Sequence, residues 1–119
     1  MKANDDNPII QKSMAFAIRC VKLARQLRES FHEYDLASQV IQSGTSIGAN
    51  AREAIRGQSR ADFHAKMNIS LREAEETDYW LDLLYQTGYL PLNEYNSLKA
   101  DCVEICKILM SIVKSTSNR

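Results

Sequence analysis

The sequence predicts an all-α protein that folds as an antiparallel, up-down-up-down four-helix bundle. Four segments repeat apolar residues at the three- and four-residue spacing of a helix, and no segment shows the alternation of a strand. The connections between these segments are short, which favours antiparallel neighbours. A chain of 119 residues is one domain by length and can bury a core without disulfides or metal. We expect helices at about 8–31, 35–57, 60–87 and 92–115, in a single domain spanning 1–119.

The first helix opens at Asn7, a residue type that caps helices, with Pro8 at the first helical position. A polar turn at 32–35 separates it from the second helix, which is expected to stop near Gly57. Periodicity assigns the inward positions of both helices. They are Ile10, Met14, Ala17, Val21 and Ala24 in the first helix, and Leu36, Val40, Ser43, Ile47, Ala51 and Ala54 in the second.

The third helix has the clearest repeat and begins after Ser59, where Asp62 completes a start that resembles a capping box. Gly88 is a natural C-terminal cap, and Pro91 follows it before the fourth helix. The inward positions predicted for these two helices are Phe63, Met67, Ser70, Ala74, Thr77, Leu81 and Leu84, and then Tyr95, Leu98, Cys102, Ile105, Leu109 and Ile112.

A run of small residues lies in the second helix, at residues 43–57. Two glycines inside a helix cost about 1 kcal/mol each relative to alanine, so their presence indicates a packing or functional reason. Gly44 and Gly48 would let a neighbouring helix approach closely, with polar side chains in the middle of that contact. Acidic residues of the third helix are the expected partners of arginines between helices. The residues assigned to helix packing and polar contacts are Gly44, Gly48, Asn50, Arg52, Glu53, Glu73 and Glu76.

The third helix carries more apolar surface than one bundle requires. Tyr79, Trp80 and Leu83 point away from its inward seam or flank it. A helix that is apolar on more than one side is usually buried on more than one side. We therefore assign these three residues to a contact with a second subunit. The competing interpretation is that Trp80 is an ordinary core residue.

Charge is balanced overall but unevenly distributed. The formal net charge of +0 argues against a protein that coats nucleic acid over its whole surface. Residues 12–28 hold five cations and no acid, whereas residues 73–82 hold five acids and no cation. In one interpretation the two faces attract each other, within the bundle or between subunits. In the other, a basic surface meets phosphate through Arg19, Lys22, Arg25 and Arg28.

No constellation of residues predicts catalysis, a cofactor or a metal site. A di-iron bundle needs Glu-x-x-His on two helices, and only Glu29 to His32 matches. Ser59, Asp62 and His64 are close in sequence, but capping explains Ser and Asp at a helix start. Three cysteines without a C-x-x-C pair favour reduced core thiols. The sequence shows neither a signal peptide nor a membrane-spanning run, so we expect a non-enzymatic cytoplasmic protein without membrane contact.

The order and spacing of several motifs resemble one protein family over about residues 7–113. The stretch SGTSIGAN at 43–50, followed by REA at 52–54, looks like the helix-two signature of four-helix-bundle proteins of the S23 type. These are also called 23S rRNA intervening-sequence proteins. Further similar segments are 57–67 at the start of the third helix, 73–84 in its core, 88–90 at the following turn and 7–17 at the beginning of the chain.

The resemblance implies a homopentamer of antiparallel bundles packed as a ring, in a bacterial protein whose gene is sometimes lodged in an insertion within the 23S rRNA gene. It implies no established enzymatic activity. A related bundle, the accessory variability determinant of diversity-generating retroelements, is a pentamer that binds a reverse transcriptase and nucleic acid. Many members carry an arginine pair followed by alanine where this chain has Gln42, Ser43 and Gly44. The chain therefore lacks that basic pair.

Two functions follow from these observations. The first is a non-enzymatic, pentameric scaffold that binds RNA, or an RNA-handling partner, through the basic surface of the first helix. Repetition around a ring would concentrate modest charge into a positive surface. The alternative is a protein-interaction adaptor without nucleic-acid binding, for example an accessory subunit of a reverse transcriptase. The zero net charge and the missing arginine pair favour the alternative, and a steep salt dependence of nucleic-acid binding would argue against it.

Overall fold

The structure is a computed structural model that describes residues 7–117. These residues form four helices and no strand, which confirms the all-α fold class. The single domain expected over 1–119 includes residues 1–6 and 118–119, which lie outside the described part of the chain. The helices are α1 at Pro8–Phe31, α2 at Asp35–Ile55, α3 at Arg60–Gln86 and α4 at Leu92–Thr116.

Neighbouring helices run antiparallel. In each pair of neighbours the contacting residue numbers rise along one helix and fall along the other, and the bundle measures 45 × 25 × 22 Å. The opposed residues are Ser13 with Gly48 and Cys20 with Gly44 between α1 and α2, Glu53 with Lys66 and Ser43 with Thr77 between α2 and α3, His64 with Thr116 and Asp82 with Lys99 between α3 and α4, and Lys12 with Glu104 and Arg19 with Asp101 between α1 and α4.

Two helix starts are capped by the side chains that the sequence indicates. The Ile9 N–H donates to Oδ1 of Asn7 at 3.0 Å, next to Pro8 at the first position of α1. The Asp62 N–H donates to Oγ of Ser59 at 3.0 Å at the start of α3. Each cap satisfies a backbone donor that has no partner inside its own helix.

The helix ends use left-handed or tight turns. His32 follows α1 with φ of 53°, and Gly88 follows α3 with φ of 89°, a conformation that suits glycine. α2 ends at Ile55, two residues before the position expected from the sequence. The Gly57 N–H there donates to the Ala54 carbonyl at 3.1 Å, which tightens the last turn out of α-helical geometry.

The core contains most of the inward positions predicted in α2, α3 and α4, but α1 is rotated from the prediction. Met14 is 48% exposed, and Ala24 is the only predicted α1 position that is buried. α1 carries two apolar stripes at helical spacing, and the inward one contains Phe16, which is fully buried. The buried residues of α1 are Ile9, Ser13, Phe16, Cys20, Leu23, Ala24 and Leu27.

Small residues on α1 and glycines on α2 bring these two helices close together. A Cβ atom placed on Gly44 would lie 2.6 Å from Sγ and 2.8 Å from Cβ of Cys20. A Cβ atom on Gly48 would lie 3.0 Å from Oγ of Ser13. The distances at Gly44 are shorter than van der Waals contact permits, so this position requires glycine at the observed helix separation.

A polar cluster joins α3 to α4. Nζ of Lys99 lies 2.8 Å from Oδ1 of Asp78 and 2.8 Å from Oδ1 of Asp82. The Tyr95 hydroxyl donates to the same Asp82 oxygen at 2.6 Å. Burial alone would raise the pKa of Asp82, but the hydrogen bonds from Lys99 and Tyr95 outweigh burial and lower it. Burial opposes the charge of Lys99 in the same way, and its close contacts with both carboxylates outweigh burial and raise its pKa.

We expect Gly44→Ala to lower the free energy of unfolding by about 1–3 kcal/mol, because the new methyl group forces α1 and α2 apart. This loss should exceed the gain of about 1 kcal/mol that alanine brings in helix propensity. Gly48→Ala is the matched control, since its contact with Ser13 is looser at 3.0 Å. Urea denaturation measures both variants. A Gly44→Ala protein at least as stable as the wild type would contradict the close contact.

We expect Lys99→Met to destabilise the protein most at neutral pH, because Asp78 and Asp82 lose their shared cation. The lowered pKa of Asp82 means that its charged form stabilises the fold above the ordinary value of 3.8, and that this contribution disappears as pH falls through the lowered pKa. The raised pKa of Lys99 keeps its ammonium group charged throughout the range below 10.5, so at low pH only protonation of the carboxylates removes the interaction. The difference between wild type and variant should therefore narrow below about pH 4.

Thermal denaturation from pH 2 to 8 measures this difference. Lys107→Met, which removes an exposed cation from the same helix, is the control and should track the wild type throughout. A Lys99→Met deficit that is constant across this range would show that lost packing, rather than the ion cluster, causes it.

Candidate interaction surfaces

The four basic residues predicted to contact phosphate do not share one face of α1. Positions three apart on a helix are rotated by about 60°, so the set spreads over about half of the circumference. At one edge, Nη1 of Arg19 lies 2.7 Å from Oδ2 of Asp101 on α4. At the other edge, Nη2 of Arg28 lies 3.4 Å from Oγ of Ser38 on α2. Only the middle of the set therefore faces outward.

Lys22 and Arg25 occupy that outward position. Both are exposed, and within residues 7–117 neither forms an ion pair. Lys12 lies on the same edge of α1 as Arg19, and its Nζ is 3.1 Å from Oε2 of Glu104 on α4. Because exposed ion pairs contribute at most about 1 kcal/mol, Arg19 and Lys12 can exchange their carboxylate partners for another anion at little cost.

The prediction that the basic α1 and the acidic α3 attract each other is wrong for contacts within the bundle. These helices are diagonal to each other, and α4 lies between them with charges of both signs. The α1 cations pair with Asp101 and Glu104 of α4. Two of the α3 acids pair with Lys99 of α4 instead. Attraction between subunits remains a prediction.

The α3 residues assigned to a subunit contact lie on the outer side of the helix, and we call Tyr79, Trp80 and Leu83 the α3 face. Tyr79 is 58% exposed, and its ring meets that of Trp80 edge-on with centroids 5.1 Å apart. Trp80 and Leu83 are half-buried. Trp80 also packs against the core, and its Nε1 is buried without a hydrogen-bond partner in the described residues. The indole thus belongs partly to the core and partly to the surface.

The polar residues of the small-residue run make fewer contacts between helices than the sequence indicates. Oε1 of Glu53 lies 2.9 Å from Nζ of Lys66, so this ion pair links α2 to α3. Nδ2 of Asn50 donates to the Ser46 carbonyl at 2.8 Å, which keeps its side chain on its own helix. Arg52 is exposed. It lies beside α1 and also near Asp62 at the start of α3, and within residues 7–117 it forms no ion pair with Glu73 or Glu76.

Glu73 and Glu76 form no ion pair within residues 7–117. Glu73 is half-buried and Glu76 is exposed. Burial, and next the negative charge of Glu76, raise the pKa of Glu73, while Arg72 partly offsets them. The two carboxylates therefore form an acidic border beside the α3 face that lacks a close cation among the described residues.

Buried hydroxyl groups connect α2 to α3, which the sequence analysis did not predict. The Ser70 hydroxyl donates to the Ile47 carbonyl at 2.7 Å. The hydroxyl oxygens of Thr77 and Ser43 lie 2.8 Å apart in the core. The available signal was that Ser43, Ser70 and Thr77 all occupy inward positions of their helices. A buried hydroxyl requires a partner, so three of them at facing positions indicate mutual hydrogen bonds.

The outward apolar stripe of α1 lines a groove with α2, which we call the α1–α2 groove. It has a volume of about 280 Å³. A shallower depression continues from it over the exposed side chain of Ile18. The residues lining the groove are Ile10, Ser13, Met14, Ala17, Thr45, Gly48, Ala49 and Arg52. Its apolar wall is the stripe that the sequence analysis had assigned to the core.

The residues considered for catalysis or metal binding do not come together in one site. Nδ1 of His64 lies 2.6 Å from Oγ1 of Thr116, while Ser59 caps α3 and His32 ends α1. In the part of the chain that the structure describes, no group of three or more His, Cys, Asp or Glu side chains is arranged to hold a metal. The three cysteines are free thiols, and burial raises the pKa of Cys20 to about 12.

Comparison with known proteins places the chain in a family. Across residues 7–117, none of the helices has the length and hydropathy needed to cross a bilayer. No curated protein gave a significant match. A crystal structure from Bacteroides thetaiotaomicron VPI-5482, at 1.70 Å resolution, is similar. It shows a protein of unknown function from the S23 ribosomal protein family.

The two chains share 50% sequence identity and superpose with a TM-score of 0.89, over 92% of this chain and 97% of that chain. The family model for the 23S rRNA-intervening sequence protein matches residues 5–111. This match covers nearly all of the bundle, and it confirms the resemblance found in the sequence. The chain therefore belongs to the 23S rRNA-intervening sequence protein family.

Proposed function

We propose that this protein is a non-enzymatic scaffold in the cytoplasm, which assembles as a homopentamer and binds RNA through the outward basic residues of α1. The observation that carries the RNA contact is the state of Lys22 and Arg25. Both are exposed, and neither has an ion-pair partner within residues 7–117. Two such cations per copy become a repeated positive surface when the copies form a ring.

The assembly is supported by apolar side chains that one bundle leaves uncovered. Tyr79 is 58% exposed, Met14 48% and Ile18 49%. Contiguous exposed apolar surface on a small protein usually marks an interaction site. A ring also agrees with the homopentamer that the family resemblance implies.

A second function, a protein-interaction adaptor without nucleic-acid binding, is favoured by one observation. Asp101 and Glu104 of α4 lie beside the basic edge of α1 and pair with Arg19 and Lys12. These acids reduce the positive potential on one side of the candidate RNA surface. In this function the exposed apolar side chains would bind a protein partner such as a reverse transcriptase.

Salt dependence distinguishes the two functions. We expect the wild-type protein to bind RNA with an affinity that falls steeply as salt rises, because phosphate contacts release counterions. Gel filtration with light-scattering mass, with and without total RNA from 50 to 500 mM salt, measures both assembly and binding. A pentamer whose mass RNA does not change at any salt concentration would favour the adaptor. A monomer would overturn the scaffold.

We expect replacement of Arg19, Lys22, Arg25 and Arg28 by glutamine to abolish RNA binding at moderate salt and to leave the oligomer intact. The salt slope of log K should fall by about 1 for each phosphate contact removed. The control replaces four exposed cations outside α1 by glutamine. They are Arg56, Arg60, Lys107 and Lys114.

Fluorescence anisotropy with labelled RNA measures affinity, and light scattering confirms the mass. RNA binding that survives the α1 replacement would exclude α1 as the contact. An equal loss in both variants would show that binding responds to net charge rather than to this surface.

A further inference from the structure

Within residues 7–117, two of the uncovered apolar surfaces of the bundle flank α2 on opposite sides. One is the α1–α2 groove, whose outer wall includes Met14. The other is the α3 face, where Tyr79 is the most exposed side chain. Because the two surfaces lie on different sides of the same bundle, one surface cannot cover the other within a single chain. Contact between two copies of the chain can cover both.

The shapes of the two surfaces are complementary. The floor of the groove is made of small residues, among them Ser13 and Gly48, and the exposed Ala49 lies at its rim. The α3 face presents bulky side chains, and Tyr79 packs edge-on against Trp80. Large aromatic side chains that enter a groove with a small-residue floor are typical of the anchors at protein interfaces.

The charges at the borders of the two surfaces are also complementary. Arg52 lines the groove and is exposed. Glu73 and Glu76 border the α3 face, and no cation pairs with either of them in the described residues. A positive border therefore faces a negative one when the groove of one copy meets the α3 face of another. Opposite charges at a rim steer association and set the register of the contact.

We infer that the α3 face of one copy occupies the α1–α2 groove of the next, in a head-to-tail contact. This inference rests on the proposed oligomer and specifies which surfaces build it. A heterologous contact of this kind uses two different patches on every copy, so it repeats and forms a ring when the rotation closes. An isologous contact between two grooves would instead place Arg52 of one copy close to Arg52 of the other, and these like charges repel.

The heights of the two surfaces fix how the copies cross. Ser13 at the groove floor lies beside Gly48, and Ile47 is hydrogen-bonded to Ser70 on α3. The groove is thus level with Ser70, whereas Tyr79 lies nine residues further along α3, about 14 Å away. A closed ring permits no axial step from one copy to the next, so within a ring this difference in height requires each bundle to be tilted against its neighbour.

Two variants with complementary defects test this contact. The groove variant carries Met14→Glu and Ile18→Glu, and the face variant carries Tyr79→Glu and Leu83→Glu. Each introduces acids against the partner surface, and Glu against Glu cannot create a new attraction when the variants are mixed. Because Leu83 is half-buried, Tyr79→Glu alone replaces the face variant if the double change unfolds the chain. Circular dichroism checks folding.

We expect each variant alone to be a monomer near the chain mass of 13.5 kDa. An equimolar mixture should give a dimer of twice that mass, because one intact groove can meet one intact α3 face. The control variant carries Leu92→Glu and Met110→Glu, at positions of α4 that are 55% and 47% exposed, and should keep the wild-type mass. Light scattering coupled to gel filtration measures all four samples.

The remaining outcomes separate this inference from the proposed function. A wild-type oligomer whose mass neither variant changes would leave the oligomer standing and overturn the head-to-tail contact. Variants that dissociate but do not recombine would overturn it as well, as would either variant forming a dimer by itself, which indicates an isologous interface. A wild-type monomer would overturn the proposed oligomer together with this contact.

Discussion

The close approach of α1 to α2 determines how the rest of the surface is arranged. Gly44 leaves room for Cys20, and Gly48 leaves room for Ser13, so α1 must turn these small side chains inward. Turning Ser13 and Cys20 inward also turns Met14 outward. One packing constraint in the core thus produces the exposed apolar wall of the α1–α2 groove. The small-residue run affects the surface through the rotation of its neighbour rather than through its own polar groups.

α4 has the corresponding role for charge. It supplies Asp101 to α1 and Lys99 to α3, so two oppositely charged helices that lie diagonally in the bundle are both partly neutralised by it. On α1 and α3, the charges that form no ion pair in the described residues include Lys22, Arg25 and Glu76. Ion pairing within the chain does not cancel the field of these charges, so they can contribute to long-range interactions.

Helix existence and helix caps could be predicted because they depend on neighbours in sequence. Asn7 and Ser59 bind backbone groups two and three residues away. The inward face of α1 could not be predicted, because both of its stripes satisfy the same periodicity and the choice depends on Gly44, which is distant in sequence. The charge partners were missed for the same reason, since composition identifies a charged helix but not the helix beside it. A subunit contact depends on a second copy of the chain. Periodicity can therefore indicate that a helix has surplus apolar surface, but it cannot identify the surface that covers it.

The length of α1 explains how assembly and RNA binding can use the same helix. Met14 and Ile18 line the groove and its continuation in the first half of α1, whereas Lys22 and Arg25 lie in the second half. Arg25 lies about three turns beyond Met14 on nearly the same side of the helix, so the two surfaces are separated along the helix axis. Coverage of the groove by a neighbouring copy would remove apolar surface from the first half of α1 and leave the cations of the second half facing solvent. Assembly would then make the exposed part of α1 more polar and more basic, so the oligomer should bind RNA more tightly per copy than the monomer does.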